Sequence, residues 1–230
     1  MKKGIFHIHS SFSYDGLNSI RGIYDFIKKR GLNFIILSDH DTINGSLELK
    51  KFVLSRGLNI EVPISAEYKT NWGDIIAVNI RSEINIRDPL LLIDEIKMQG
   101  GVSILPHPYD GHNQIDILAQ RVDVIEVYNA RSSYINNLKS YSLALKYSKP
   151  MIWSSDSHIK STLGNAIIGY SDDIHFIDAM VSGKLCPLSI RKSGAHDLLF
   201  SQLKKSIVKK DLMIVPFLFL AYIKSILQNR

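Results

Sequence analysis

Short apolar runs that read as strands alternate with runs of helical spacing along most of this chain, and that alternation limits the folds open to it. The strand-like runs are residues 4–8, 34–37, 60–64, 75–80, 102–105, 122–127 and 151–153. Between the first two, Ile20, Ile23, Tyr24 and Ile27 recur on one helix face, and Gly31 closes the helix. Residues 47–54, 89–98 and 134–147 read as further helices. The second of these starts at Pro89 and is followed by Gly100-Gly101, the usual asymmetry of helix ends. Residues 177–181 form a short helix before Gly183. Strands alternating with helices predict a parallel sheet with helical crossovers. So many repeats in 230 residues favour a barrel over an open sheet, and no linker rich in Pro, Gly or Ser divides the chain.

Polar clusters follow the strand-like runs: His7-Ile8-His9, Asp39-His40-Asp41, Glu67, His107 and Asp156-Ser157-His158. A strand turns successive side chains to opposite faces, so His7 shares a face with His9, and Asp156 with His158. The carboxyl ends of strands are where α/β barrels place their chemistry. Neutral imidazole and carboxylate are ligands of Zn, Mn and Fe(II). One His-x-His pair carries little weight. Here five of the eight histidines sit just past strand-like runs with carboxylates interleaved, which points to a metal site. The candidates are His7, His9, Asp15, His40, Glu67, His107, Asp156 and His158.

Other features bound the reading. The composition, 45% hydrophobic and 22% charged, is that of a soluble globular protein. The single cysteine, Cys186, excludes an internal disulfide framework and a cysteine zinc cluster. No apolar stretch with a cleavage site follows Met1, so the expected location is the cytoplasm. Net charge is +6, with much of the surplus after Lys184 (Arg191, Lys192, Lys204, Lys205, Lys209, Lys210 and others). Residues 212–223 are continuously apolar but shorter than the roughly 20 residues a membrane span needs. Pro216 breaks the run and Lys224 follows it. This segment packs on the barrel or on a second subunit, or lies on a membrane surface beside its basic flank, which would make the protein peripheral to a membrane.

The order of these motifs resembles the PHP (polymerase and histidinol phosphatase) family. The residues that carry it are His7-Ile8-His9 with Asp15, Ser38-Asp39-His40-Asp41-Thr42, Ala66-Glu67, His107-Pro108, Glu126-Val127-Tyr128-Asn129-Ala130-Arg131, and Ser155-Asp156-Ser157-His158 with Gly164 beyond. The resemblance implies an α/β fold, a distorted (β/α)7 barrel over residues 1–193, with a C-terminal helical extension over 194–230. It also implies two or three divalent ions, Mn, Zn or Fe. By position, His7, His9, Glu67 and Asp156 would hold the first ion. Glu67 and His107 would hold the second, and Asp15, His40 and His158 the third. Many relatives carry Gly-His after the glutamate; here the pair is Gly73-Asp74, so Asp74 stands at a histidine ligand's place.

The implied activity is hydrolysis of a small phosphomonoester, a nucleotide or sugar phosphate, by a hydroxide held between the ions near Glu67. A nuclease acting on nucleic-acid phosphodiesters is the alternative, and it would need a basic groove near the metals. A non-catalytic, metal-stabilised module is a third reading. Around the ligands, Asp39 or Asp41 would orient an imidazole. Asp41 is equally a helix N-cap, with Asn44 and Ser46 as rivals. Arg131 forks onto a phosphate or makes a surface ion pair. His112 contacts phosphate or acts as general acid, or is an exposed loop residue. Glu67, Asp156, Arg131 and His112 are thus the catalytic candidates, while His175 and His196 read as ordinary.

Overall fold

The computed structural model describes residues 1–208, 210, 213 and 215–228. Nine strands fall into two sheets among the described residues. The first has the order β2-β1-β8-β9, with β1 at Lys2–Ile8, β2 at Phe34–Leu37, β8 at Ala166–Tyr170 and β9 at Cys186–Ile190. The second runs β3-β4-β5-β6-β7 in sequence order. Its strands are β3 (Ser65–Thr70), β4 (Gly73–Val78), β5 (Val102–Leu105), β6 (Val124–Asn129) and β7 (Met151–Ser154).

The expected all-parallel sheet is not what forms. β1–β2, β5–β6 and β6–β7 are parallel, as helical crossovers require. The β3–β4, β4–β5, β1–β8 and β8–β9 pairs are antiparallel. Only Asn71 and Trp72 separate β3 from β4, and so short a connection can only reverse the chain. The strand expected at residues 60–64 is also absent; Glu61 makes a lone bridge to Phe34. The strand lies instead at Ser65–Thr70, where alternation turns Ala66 and Tyr68 to the core and Glu67 to the other face. With one polar face, this strand carries no apolar run.

Helices cover the outer faces. α1 (Ile20–Arg30) buries Ile23, Tyr24 and Ile27, its N-cap Ser19 accepts from Gly22 N, and Gly31 ends it in the left-handed conformation. α2 (Asn44–Ser55) packs with α1 over β1 and β2 through Leu49 and Val53. α3 (Pro89–Met98), α4 (Ile115–Arg121) and α5 (Tyr134–Lys146) cover the second sheet. α6 (Phe176–Val181) closes one end with Phe176 and Met180. One core cluster draws on both sheets, from Phe6 and Ile36 to Ile76, Ile104, Val124 and Ile152. Each such side chain contributes about 1.5–3 kcal/mol by leaving water.

The sheets meet at two edges through isolated bridges, Ile8–Ser157 and His40–Glu67, and continuous ladders do not close a barrel. At the first edge, Ser157 N donates to His7 O (3.1 Å) and His9 N to Ser157 O (2.8 Å). At the second, Glu67 N donates to Asp39 O (3.1 Å) and Asp41 N to Glu67 O (2.8 Å). His7, Asp41 and Asp156 have φ of 60°, 54° and 43°, and at His7 the β1–β2 register shifts between Ile5 and Ile8. These backbone irregularities fall beside the candidate ligands.

After β9, α7 (Ala195–Val208) and α8 (Val215–Gln228) form a helical pair. Pro216 does not break the apolar segment; it occupies the first turn of α8, where its missing N–H costs nothing. Lys209, Asp211, Leu212, Ile214 and Arg230 lie outside the described residues. Among the described residues, no helix is long and apolar enough to cross a membrane.

Candidate metal centre

The site forms at the ends of β1, β2, β5 and β7, beside β3. His7 is in β1, His9 just past it, His40 after β2, Glu67 within β3, His107 after β5, and Asp156 and His158 after β7. His7, His107 and Asp156 all have positive φ, and each such non-glycine conformation costs about 1–3 kcal/mol. The surrounding contacts hold them there. His7, His9 and Glu67 are fully buried or nearly so.

Three overlapping groups of ligand atoms result: His9, Asp15, His40 and His158; His7, His9 and Asp156; and His7, Glu67 and His107. The grouping departs from the expected sets in three ways: Glu67 is not in the group of His7, His9 and Asp156, His7 joins Glu67 and His107, and His9 joins Asp15, His40 and His158. Glu67 is the hub. Its Oε2 lies 3.4 Å from Nε2 of both His7 and His9 and 3.2 Å from His40 Nδ1, while Oε1 lies 3.2 Å from His107 Nε2. Asp156 Oδ1 is 3.4 Å from His9 Nε2 and 3.6 Å from His7 Nε2. Asp15 Oδ2 is 3.4 Å from Nε2 of both His40 and His158.

These residues fit divalent ions. Ligand atoms set about 2.0–2.1 Å from one ion in a tetrahedron lie roughly 3.4 Å apart, the spacing found here. His9 Nε2 is buried and makes no hydrogen bond, although two carboxylate oxygens stand 3.4 Å away. A buried imidazole nitrogen without a partner is costly unless something else takes its lone pair.

The charges are strongly coupled. Burial opposes ionisation of His7, but Asp156, Glu67 and Glu126 outweigh it and raise its pKa. The same contest raises His107 to about 9, chiefly through Glu67. Burial also works against Glu67 and Asp156, yet the imidazoles (with Arg131 for Asp156) hold both carboxyls well below the ordinary range. Burial, with His158 and His40 as cationic neighbours, pushes His9 down to about 3.

The shell around the ligands differs from expectation. Asp39 orients no imidazole: its carboxylate accepts from Ser10 N and Ser10 Oγ, both at 2.6 Å. Asp41 accepts from Lys69 N and Arg87 and caps no helix, since α2 begins after Ile43 without a side-chain cap. The orienting carboxylate is Glu126, to which sequence reasoning assigned no role. Its Oε1 accepts from His7 Nδ1 (2.8 Å), and its Oε2 from His107 N (2.7 Å) and Asn129 Nδ2 (2.9 Å). A glutamate inside the otherwise apolar run of β6 was the available signal. Arg131 is no surface pair. It donates to His158 Nδ1, its Nε is 3.9 Å from Asp156 Oδ2, and its NH2 donates to Ser201 Oγ at 3.2 Å.

Asp74 enters none of the three ligand groups; it lines the cavity, and burial raises its pKa. His112 enters none of the groups either, and does not line the cavity. Its Nε2–H donates to Asp74 O at 2.8 Å, and its ring covers Gly73. A Cβ on Gly73, whose φ is +120°, would lie 2.3 Å from that ring. Gly73→Ala should therefore destabilise the protein by about 1–3 kcal/mol in denaturant unfolding. His112→Ala should recover part of that loss in the double variant; strictly additive losses would refute the clash.

The ligands open on a cavity of about 500 Å³ bordered by Arg131, Lys69, Tyr14 and one face of α7. A mixed α/β fold that gathers histidines and carboxylates at strand ends defines a class of metal-centre proteins. The family model described as PHP-associated matches residues 135–185, which include Asp156 and His158. An uncharacterized protein of Methanocaldococcus jannaschii is 33% identical over 155 residues, 59% of this chain and 88% of that protein. A second from the same organism is 30% identical over 178 residues, 72% of this chain and 69% of that protein. Among solved structures, a two-domain Bacteroides vulgatus protein described as containing a PHP-like metal-dependent phosphoesterase superposes with a TM-score of 0.67. It is 19% identical over 88% of this chain and 69% of that one. A Chromobacterium violaceum amidohydrolase with bound sulfate superposes with a TM-score of 0.61, at 15% identity over 80% of this chain and 97% of that one. The chain belongs to the PHP family.

Proposed function

We propose that this protein is a metal-dependent phosphoesterase that hydrolyses small phosphomonoesters. The observation that carries the reading is the convergence of three ligand groups, linked through His7 and His9, at the floor of an open polar cavity that also holds Arg131. His7, His9, Glu67, Asp156, His107, Asp15, His40 and His158 would hold two or three divalent ions. Bound there, such ions neutralise phosphoryl charge and lower the pKa of water.

The chain's own residues do the rest. Glu126 accepts a hydrogen bond from His7 Nδ1, which aims Nε2 at Glu67 and Asp156. Asn129 donates to Asp156 Oδ2 at 3.2 Å and so fixes that carboxylate. Arg131 presents a permanent cation to the cavity, suited to the oxygens of a phosphate dianion. His112 acts indirectly, by holding the β3–β4 turn through the Asp74 carbonyl.

The test is a panel of phosphomonoesters and nucleic acids on protein loaded with Mn, Zn or Fe, with metal analysis alongside. Turnover of phosphomonoesters that chelation abolishes is expected. Bound metal without turnover of any ester would overturn the reading in favour of a metal-stabilised module, and turnover of nucleic acid alone would favour the nuclease.

A further inference from the structure

Helix α7 follows the last strand, yet one of its faces is built into the cavity. Leu198, Gln202 and Lys205 recur at helical spacing and line it. The helix is tied in place by the loops that carry site residues. Lys204 Nζ donates to Ser13 O at 3.3 Å and to Gly16 O, on either side of Asp15. Arg131 donates to Ser201 Oγ, and Ser161 Oγ, just past His158, donates to Asp197 Oδ1 at 2.8 Å.

The cavity offers little that would hold a nucleobase. A base needs an open aromatic face or an apolar slot. Among the described residues lining the cavity, Leu198 is the sole aliphatic side chain and Tyr14 the sole aromatic besides the histidines. The Tyr14 ring is stacked on His40 at 4.7 Å and 13°, and Lys205 Nζ lies over it at 5.6 Å from the centroid. Beyond the metal ligands, the walls present the Gln202 carboxamide, the Lys205 and Lys69 ammonium groups and the Asp110 carboxylate, to which the Ser132 hydroxyl donates. These groups exchange hydrogen bonds with hydroxyls.

We infer that α7 is the specificity wall of this cavity, and that through Gln202 and Lys205 it selects phosphates of small polyhydroxylated alcohols, such as sugars, over nucleotides. The inference rests on the phosphoesterase reading above for its scissile phosphate. It is tested by calorimetry on the metal-loaded full chain, with three probes: inorganic phosphate and unreactive phosphonate analogues of a hexose phosphate and of adenosine monophosphate. The hexose analogue should bind about tenfold tighter than the adenosine analogue. Gln202→Ala and Lys205→Met should each weaken the hexose analogue about five- to tenfold, with phosphate affinity changed less than about twofold. Metal content and thermal unfolding verify that the variants are folded.

An adenosine analogue that binds as tightly as the hexose analogue overturns the inference whatever the variants do. So do variants that weaken phosphate as much as the hexose analogue, and so does a chain that binds none of the probes. Turnover of p-nitrophenyl phosphate, measured in parallel, tests the other reading. No turnover with the hexose preference intact sinks the phosphoesterase and keeps the wall; turnover with a nucleotide preference does the reverse.

Discussion

Glu67→Ala is expected to lower phosphomonoester turnover by on the order of a thousandfold or more and to remove at least one bound ion per chain. The reason is its position. Its two oxygens lie within 3.2–3.4 Å of nitrogens on His7, His9, His40 and His107. Without the carboxylate, Asp156 beside His7 and His9, and Asp15 beside His40, remain close by to balance ions placed among these imidazoles. Glu67→Gln is the sharper variant, because it preserves the side chain's shape and one acceptor oxygen while removing its charge. It should retain the fold and still lose metal and activity. A Glu67→Gln protein with full metal content and full turnover would remove Glu67 from the centre of the site.

Metal affinity is expected to fall steeply as pH drops below about 9. In the metal-free protein, His107 titrates near 9, and His7 and His40 are also raised, because neighbouring carboxylates outweigh burial. His107 therefore holds a proton at neutral pH, and an ion must displace it to reach the lone pair. Each proton displaced contributes up to about tenfold in affinity per pH unit. Glu67 and Asp156 stay ionised across this range and add nothing to the slope. His9, near 3, adds nothing either. Stability of the metal-free protein runs the other way. A histidine whose folded pKa is raised stabilises the fold below its unfolded value of about 6.5, and that contribution is lost as pH rises toward about 9. Calorimetry at pH 7 in buffers of different ionisation heat should show at least one proton released per ion. Affinity that is flat from pH 6 to 8 would refute the protonated state of the empty site.

Much of the ligand set was legible because it is local. His7-Ile8-His9 and Asp156-Ser157-His158 each sit beside one strand, and a carboxylate or imidazole just past an apolar run is visible in any single segment. The helices were legible for the same reason: α1 and α3 carry their periodicity and their caps within themselves. What escaped depended on distant partners. β3 reads as polar because Glu67 and Lys69 share one face, and only its neighbours make it a strand. β9 pairs with β8, and β8 with β1 from the far end of the chain. Asp39 looked like an orienting group beside His40, yet its hydrogen bonds go to Ser10, 29 residues away.

The sequence by itself determined the chemistry available to this protein: five imidazoles and three carboxylates in and after strands, a set suited to divalent ions. The tertiary structure decided how that chemistry is arranged. It made Glu67 the hub, set His9 between two ligand groups, and assigned Glu126 to His7 across 119 residues. It kept Asp74 and His112 out of the ligand groups and brought α7 to the cavity through Arg131 and Ser201, 70 residues apart. Ligand identity is a property of single side chains, which a sequence states outright. Ligand arrangement depends on where left-handed residues interrupt strands and on which edges then meet, and those contacts exist only once the chain has closed on itself.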